Sequence, residues 1–256
     1  MADTSLVRPA WQLPSGVHAF VTTRHGGHSS GDFHSLNLGQ HVGDDVAAVE
    51  NNRAAVLAAL QQQTGAAAPQ LQWMQQVHGV KVQPIDSLLA TPPVADALYT
   101  TQKGIALSVL TADCLPVLFC SADGSELAVA HAGWRGLCNG VLGFTLEHFK
   151  CPVSAIRCWL GPAIGPCHFE VGSEVRDAFC MLSRQPDMIA TKAAFTPGSQ
   201  PDKWLANLYA LANVRLRAAG VTDISGEPHC TVCRDEFYSY RQNPITGRFA
   251  TGIMRL

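Results

Sequence analysis

The sequence predicts an α/β protein, because apolar runs of strand length alternate with longer segments whose apolar residues recur at helical spacing. Residues 105–110, 115–119 and 126–131 are nearly continuous apolar runs, the pattern of strands covered on both faces. Residues 136–149, 173–182 and 203–219 read instead as helices. Composition agrees: 47% hydrophobic and 15% charged residues suit a compact core and exclude a disordered chain.

Taken in order, residues 16–24 form an opening strand that runs into a turn-rich stretch, 25–31, carrying Gly26, Gly27 and Gly31. Asp44 or Asp45 caps a helix reaching about residue 61, in which Val46, Val49, Val56, Leu57 and Leu60 share a face. Residues 71–78 and 80–82 are extended, and 155–160 is a further buried strand. Residues 66–69 and 91–93 are loops too short to separate domains, so residues 1–256 form one domain.

The formal net charge is -2 and no block of Lys or Arg occurs, which excludes a basic nucleic-acid or lipid-binding face and favours a small-molecule substrate. The N-terminus lacks a basic region followed by an apolar run, so no secretory signal is expected. The best candidate span, residues 104–120, is broken by Thr111-Ala112-Asp113-Cys114. Nine cysteines without scaffold spacing read as reduced residues, and a cytoplasmic protein is expected.

Chemistry concentrates where two strands end. One apolar run is interrupted by Asp113-Cys114, and Pro116 follows; another ends at His131, before Ala132-Gly133-Trp134-Arg135-Gly136. Both deliver a metal-capable side chain at the end of a buried run, where ligand crevices collect. A cysteine there is equally at home as a small core hydrophobe. The residue pattern does not choose a third member among the ten histidines, although His78 sits where an extended segment turns. Cys230-x-x-Cys233 resembles half a zinc ribbon, but with no second CxxC it is not expected to bind metal.

Several motifs resemble one family throughout the chain: Gln76-Val77-His78-Gly79, Thr111-Ala112-Asp113-Cys114-Leu115-Pro116, Ala130-His131-Ala132-Gly133-Trp134-Arg135-Gly136 and Gly161-Pro162-Ala163-Ile164-Gly165-Pro166. Thr23-Arg24-His25-Gly26-Gly27, Ser35-Leu36-Asn37-Leu38-Gly39, Gly43-Asp44-Asp45 and Asn52-Arg53 extend the match towards the N-terminus. Cys230-Thr231, Phe237-Tyr238-Ser239-Tyr240-Arg241 and Thr246-Gly247-Arg248 extend it to the end. On these the chain resembles a bacterial member of the YfiH family, also known as laccase-domain proteins, multicopper polyphenol oxidoreductases and purine nucleoside phosphorylases. The resemblance implies layered mixed sheets flanked by helices, the cytotoxic-necrotizing-factor-like cysteine hydrolase fold.

It also implies that His78, Cys114 and His131 bind a metal, usually zinc. Two imidazoles and one thiolate leave a fourth tetrahedral position open, the catalytic pattern. Arg24 and Asn37, from matching motifs, are candidates to hold phosphate, ribose or base, with Arg24 also assigned to catalysis; Arg135 at a helix start is a further anion candidate. Asp113 is a candidate general base or the partner that orients a ligand histidine.

The implied reaction is phosphorolysis of adenosine, inosine, guanosine or methylthioadenosine, with adenosine deamination as a further activity. A second reading makes Cys114 a nucleophile activated by His131, since Cys-His pairs hydrolyse amides; the resemblance then implies removal of L-serine from a muramic-acid nucleotide precursor in peptidoglycan editing. In a copper-oxidase reading, copper takes the zinc position, but the lack of any His-x-His argues against a multicopper cluster. The non-catalytic alternative is a metal-binding module.

Overall fold

The computed structural model describes residues 6–66, 68–183, 185–226 and 228–256. Residue 67 of the loop expected at 66–69, and residues 1–5, lie outside it.

The first elements are β1 (Leu6–Val7), β2 (Val17–Thr22) and α1 (Val46–Thr64). Asp45 caps α1 by accepting the Ala48 N–H, and Gly65 ends it at φ 71°. There follow β3 (Gln70–Gln72), β4 (Val82–Pro84), β5 (Ala97–Thr100), β6 (Ile105–Thr111), β7 (Leu115–Ser121) and β8 (Leu127–Ala132). Next come α2 (Trp134–Asn139), α3 (Val141–Leu146), β9 (Ile156–Leu160), β10 (Glu170–Gly172), α4 (Ser173–Met181) and α5 (Met188–Ala193). The chain closes with β11 (Phe195–Pro197), β12 (Lys203–Ala206), α6 (Leu208–Ala218), β13 (Asp223–Ser225) and β14 (Phe249–Arg255).

Two mixed sheets face each other. One has the order β1-β2-β14-β6-β3 and the other β13-β9-β7-β8-β5-β4; β10-β12-β11 form a small third sheet. Period-two alternation explains the layers. Leu107 and Val109 of β6 and Ile253 of β14 pack between the sheets against Leu118, Val129 and Trp159. Ala106, Leu110 and Met254 face the other way, onto Val56 and Leu60 of α1. On the far side of the six-stranded sheet, Val117, Phe119 and Ala130 meet Leu142 of α3 and Leu211 of α6. The result is a helix–sheet–sheet–helix sandwich, the expected layered α/β arrangement.

Three expectations are corrected. The helix expected over 136–149 is two helices, because Gly140 adopts φ 99° and ends α2. The helix expected over 203–219 begins only at Asn207, whose side chain accepts the Ala210 N–H; before it β12 is held by β10 and β11 on either side. The extended run expected over 71–78 is broken: β3 ends at Gln72, Gln75 makes a single parallel bridge to Val94, and the chain then forms the loop that carries His78.

Candidate active site

β6 and β7 are joined by a connection so short that Asp113 is driven to φ 90°, an expensive conformation for a residue with a Cβ. Its carboxylate is tied down at both oxygens: Thr231 Oγ1 donates to Oδ1 (2.6 Å) and the Arg241 N–H to Oδ2 (2.7 Å). The next residue, Cys114, immediately precedes β7. In the neighbouring strand β8, His131 stands opposite Pro116 and is only 3% exposed.

His78 arrives from a loop held by two side chains. Gln76 mimics a strand, donating from Nε2 to the Leu110 carbonyl and accepting the Leu110 N–H, both at 2.8 Å. Asp96, fully buried, accepts the backbone N–H groups of His78 (2.9 Å) and Gly79 (2.7 Å), with Val77 at 3.2 Å. These bonds hold His78 at φ 58°. The same Asp96 carboxylate lies 2.9 Å from His131 Nδ1. Since an ionised carboxylate only accepts, Nδ1 carries the proton and Nε2 is free to ligate.

The ligating atoms of His78, Cys114 and His131 all lie within 4.8 Å of one another, with Cys114 Sγ 3.8 Å from His78 Nε2. Gly133 borders them: a Cβ there would stand 2.9 Å from His78 Cδ2 and 3.0 Å from Cys114 Sγ. This backbone leaves room for the three donors and little else. Two imidazoles and a thiolate, converging where the missing Cβ of Gly133 leaves them space, fit a metal ion.

Burial alone would raise the Cys114 pKa, but the charge of His131 and hydrogen bonds from His131 and His78 outweigh it and bring the thiol down to about 6. Burial opposes the charged form of His131 as well; the Cys114 thiolate and Asp96 overcome it and raise His131 to about 9. Asp96 is likewise held below the usual carboxylate range, against its burial, by His131 and the backbone N–H donors. Without metal, the centre is a thiolate–imidazolium pair.

The triad opens into a cleft of about 470 Å³, the size of a small-molecule site. Its wall includes Arg135, Arg241 and Arg248, with Trp134, Phe169 and Tyr240 giving apolar faces. The Arg135 guanidinium stacks 4.4 Å over Trp134 and, among the described residues, makes no hydrogen bond. Arg241 donates to the His168 (2.9 Å) and Glu170 (3.1 Å) carbonyls, and Arg248 to those of Thr246 and Gly247.

Two expected substrate residues lie elsewhere. Arg24 donates from Nε to the His34 carbonyl and stacks over Tyr238, bordering a separate depression with Asp32 and Asp235. Asn37 is fully buried with both ends of its amide engaged, so it cannot reach a ligand; its Oδ1 accepts the N–H of Arg248, which does line the cleft. Asp113 bonds Thr231 and Arg241, and the carboxylate beside His131 is that of Asp96. The sequence reading missed Asp96, Arg241, Arg248 and His41. Arg241 and Arg248 stood within motifs quoted for the resemblance, whereas Asp96, one residue before a strand in Ala95-Asp96-Ala97, carries no local signal.

Comparison with known proteins agrees with this architecture. A family model described as multi-copper polyphenol oxidoreductase laccase matches residues 18–256. Purine nucleoside phosphorylase PA4543 of Pseudomonas aeruginosa is 45% identical over 95% of both chains. Purine nucleoside phosphorylase YfiH of Escherichia coli is 45% identical over 98% of both. The crystal structure of Neisseria meningitidis protein NMB0706 superposes with a TM-score of 0.88 at 43% identity, covering 98% of each chain.

Proposed function

Because the chain belongs to the multi-copper polyphenol oxidoreductase laccase family, and relatives 45% identical to it are named purine nucleoside phosphorylases, we propose that it is a zinc-dependent enzyme of that activity. Its substrates are adenosine, inosine, guanosine and methylthioadenosine, and adenosine deamination is a further activity. The observation that supports this most directly is the His78–Cys114–His131 triad at the floor of a cleft walled by three arginines and three aromatic rings.

Arg135, with hydrogen-bonding capacity to spare, and Arg248, beside Cys114 and Asp113, take the phosphate, since guanidinium suits bidentate oxyanion binding. Phe169 and Tyr240 cover the faces of the purine. A phosphate oxygen attacks C1′ of the ribose, the bond from C1′ to the base nitrogen breaks, and the base leaves with a proton, giving ribose 1-phosphate. Held by His78, Cys114 and His131, a zinc ion supplies a Lewis acid, and copper can take the same position. Asp96 fixes the tautomer of His131 and the turn at His78; Asp113 positions Cys114. Residues 1–256 act as one domain. A cytoplasmic location goes with this reading and is supported by nine free cysteines, as a reducing compartment maintains them.

Incubation with adenosine and phosphate, following adenine, inosine and hypoxanthine separately, tests the proposal. Adenine released only when phosphate is present, and lost with chelation, is the expected result. No base released from any purine nucleoside would sink it and leave a metal-binding module. The thiolate–imidazolium pair favours a second reading, a Cys114 amidase acting on a muramoyl-serine nucleotide. That activity would survive chelation and be lost on alkylation of Cys114.

A further inference from the structure

A second set of metal-capable side chains lies outside the cleft: Cys167, His168, Cys230 and Cys233, whose ligating atoms all fall within 4.8 Å of one another. They come from two loops. Gly165 turns the first, its carbonyl accepting the N–H groups of His168 and Phe169 at 3.0 Å. The second is the Cys230-x-x-Cys233 turn, closed by the Cys233 N–H on the Cys230 carbonyl at 3.1 Å. A parallel bridge between Ala163 and Cys230 joins the loops, so the Cys-His dipeptide supplies the other half that the lone CxxC lacked.

From this juxtaposition we infer that Cys167, His168, Cys230 and Cys233 form a second, structural zinc site of the closed Cys3His type. Zinc–sulfur bonds of about 2.3 Å and zinc–nitrogen bonds of about 2.0 Å place tetrahedral ligands roughly 3.5–3.8 Å apart. The observed separations are 3.6 Å for Cys167 Sγ to Cys233 Sγ, 3.6 Å for Cys230 Sγ to His168 Nδ1 and 3.4 Å for Cys233 Sγ to His168 Nδ1. A Cβ on Gly165 would meet Cys230 Cβ at 2.9 Å and the sulfurs of Cys167 and Cys230 at 3.3 Å, so glycine keeps the space open.

Four protein ligands leave no open position, hence a structural role. The two loops also carry Thr231, which donates to the Asp113 carboxylate, and His168, whose carbonyl accepts from Arg241, itself bound through its N–H to Asp113. A zinc ion here fastens the segments against which Asp113 and Arg241 are positioned.

Metal content and thiol protection on the full chain test this without any activity assay. Protein purified under reducing conditions without chelator is expected to hold about two zinc ions per chain. The variant His78→Ala/Cys114→Ala/His131→Ala should keep one, and adding Cys233→Ala should release it. In the wild type, Cys167, Cys230 and Cys233 should resist iodoacetamide until chelator is added, although Cys167 and Cys233 are exposed. The inference is overturned if the triad variant holds no zinc. It is equally overturned if these three thiols alkylate at the same rate with and without chelator. A Cys167–Cys233 disulfide in the freshly purified, reduced protein would also overturn it.

Discussion

Asp96 Oδ1 lies 2.9 Å from His131 Nδ1 and 2.9 Å from the backbone nitrogen of His78, so one buried carboxylate sets two of the three ligands. It turns one imidazole and fixes the main chain of the other. Asp96→Asn keeps the shape but offers the His131 ring a weaker acceptor. Zinc affinity at the triad should fall by roughly 10–100-fold, the usual cost of losing such a supporting partner. Competition titration against a chromophoric chelator measures it; unchanged affinity would mean that the carboxylate only braces the loop.

Gly133 makes a sterically cleaner test. Its φ of -59° and ψ of 154° are open to alanine, so Gly133→Ala introduces no backbone strain. The new methyl would press on His78 and Cys114 at 2.9 and 3.0 Å. Triad zinc affinity should drop by on the order of tenfold or more, while the melting temperature of metal-free protein holds or rises slightly. A fall in both would show that the residue matters to folding rather than to the metal.

The pH dependence of the metal-free centre has a definite sign. Cys114 is brought down to about 6 from an ordinary 9.0, so its thiolate dominates at neutral pH and is lost as pH falls through 6. Alkylation of Cys114 in chelator-treated protein should therefore be nearly flat above pH 7 and halve near pH 6. His131→Ala removes the largest lowering influence and should move the inflection up by at least one unit. Cys158, pushed well above 9.0 by burial, should stay unreactive in both. An inflection near 9 in the wild type would refute the ion pair.

The layers were legible in the sequence because strands covered on both faces, such as β6, β7 and β8, keep unbroken apolar runs whatever their order. β14 was not read, although it joins β2 to β6 at the middle of its sheet; Thr251 and Gly252 interrupt its apolar pattern. At the site, Cys114 and His131 were visible as strand ends, whereas His78 needed the resemblance. Asp96 acts through a contact 35 residues away in sequence, and no local pattern encodes that separation. The same holds for Cys167 and Cys233, whose pairing spans 66 residues.

The arginines separate the expectation from the structure most sharply. Arg135 is exposed and, among the described residues, bound only by stacking on Trp134, so Arg135→Ala should leave the melting temperature unchanged. If it holds phosphate, losing one charge-assisted contact of about 1.5–3 kcal/mol should raise the KM for phosphate roughly 10–100-fold, with a smaller effect on the KM for nucleoside. Arg24→Ala should do the reverse, lowering thermal stability through the lost bond to the His34 carbonyl and the lost stacking on Tyr238, with the phosphate KM unchanged. Steady-state kinetics in both substrates, beside thermal melts, distinguish the two. A phosphate KM that rises in Arg24→Ala and not in Arg135→Ala would move the anion site away from the triad and refute the arrangement proposed here.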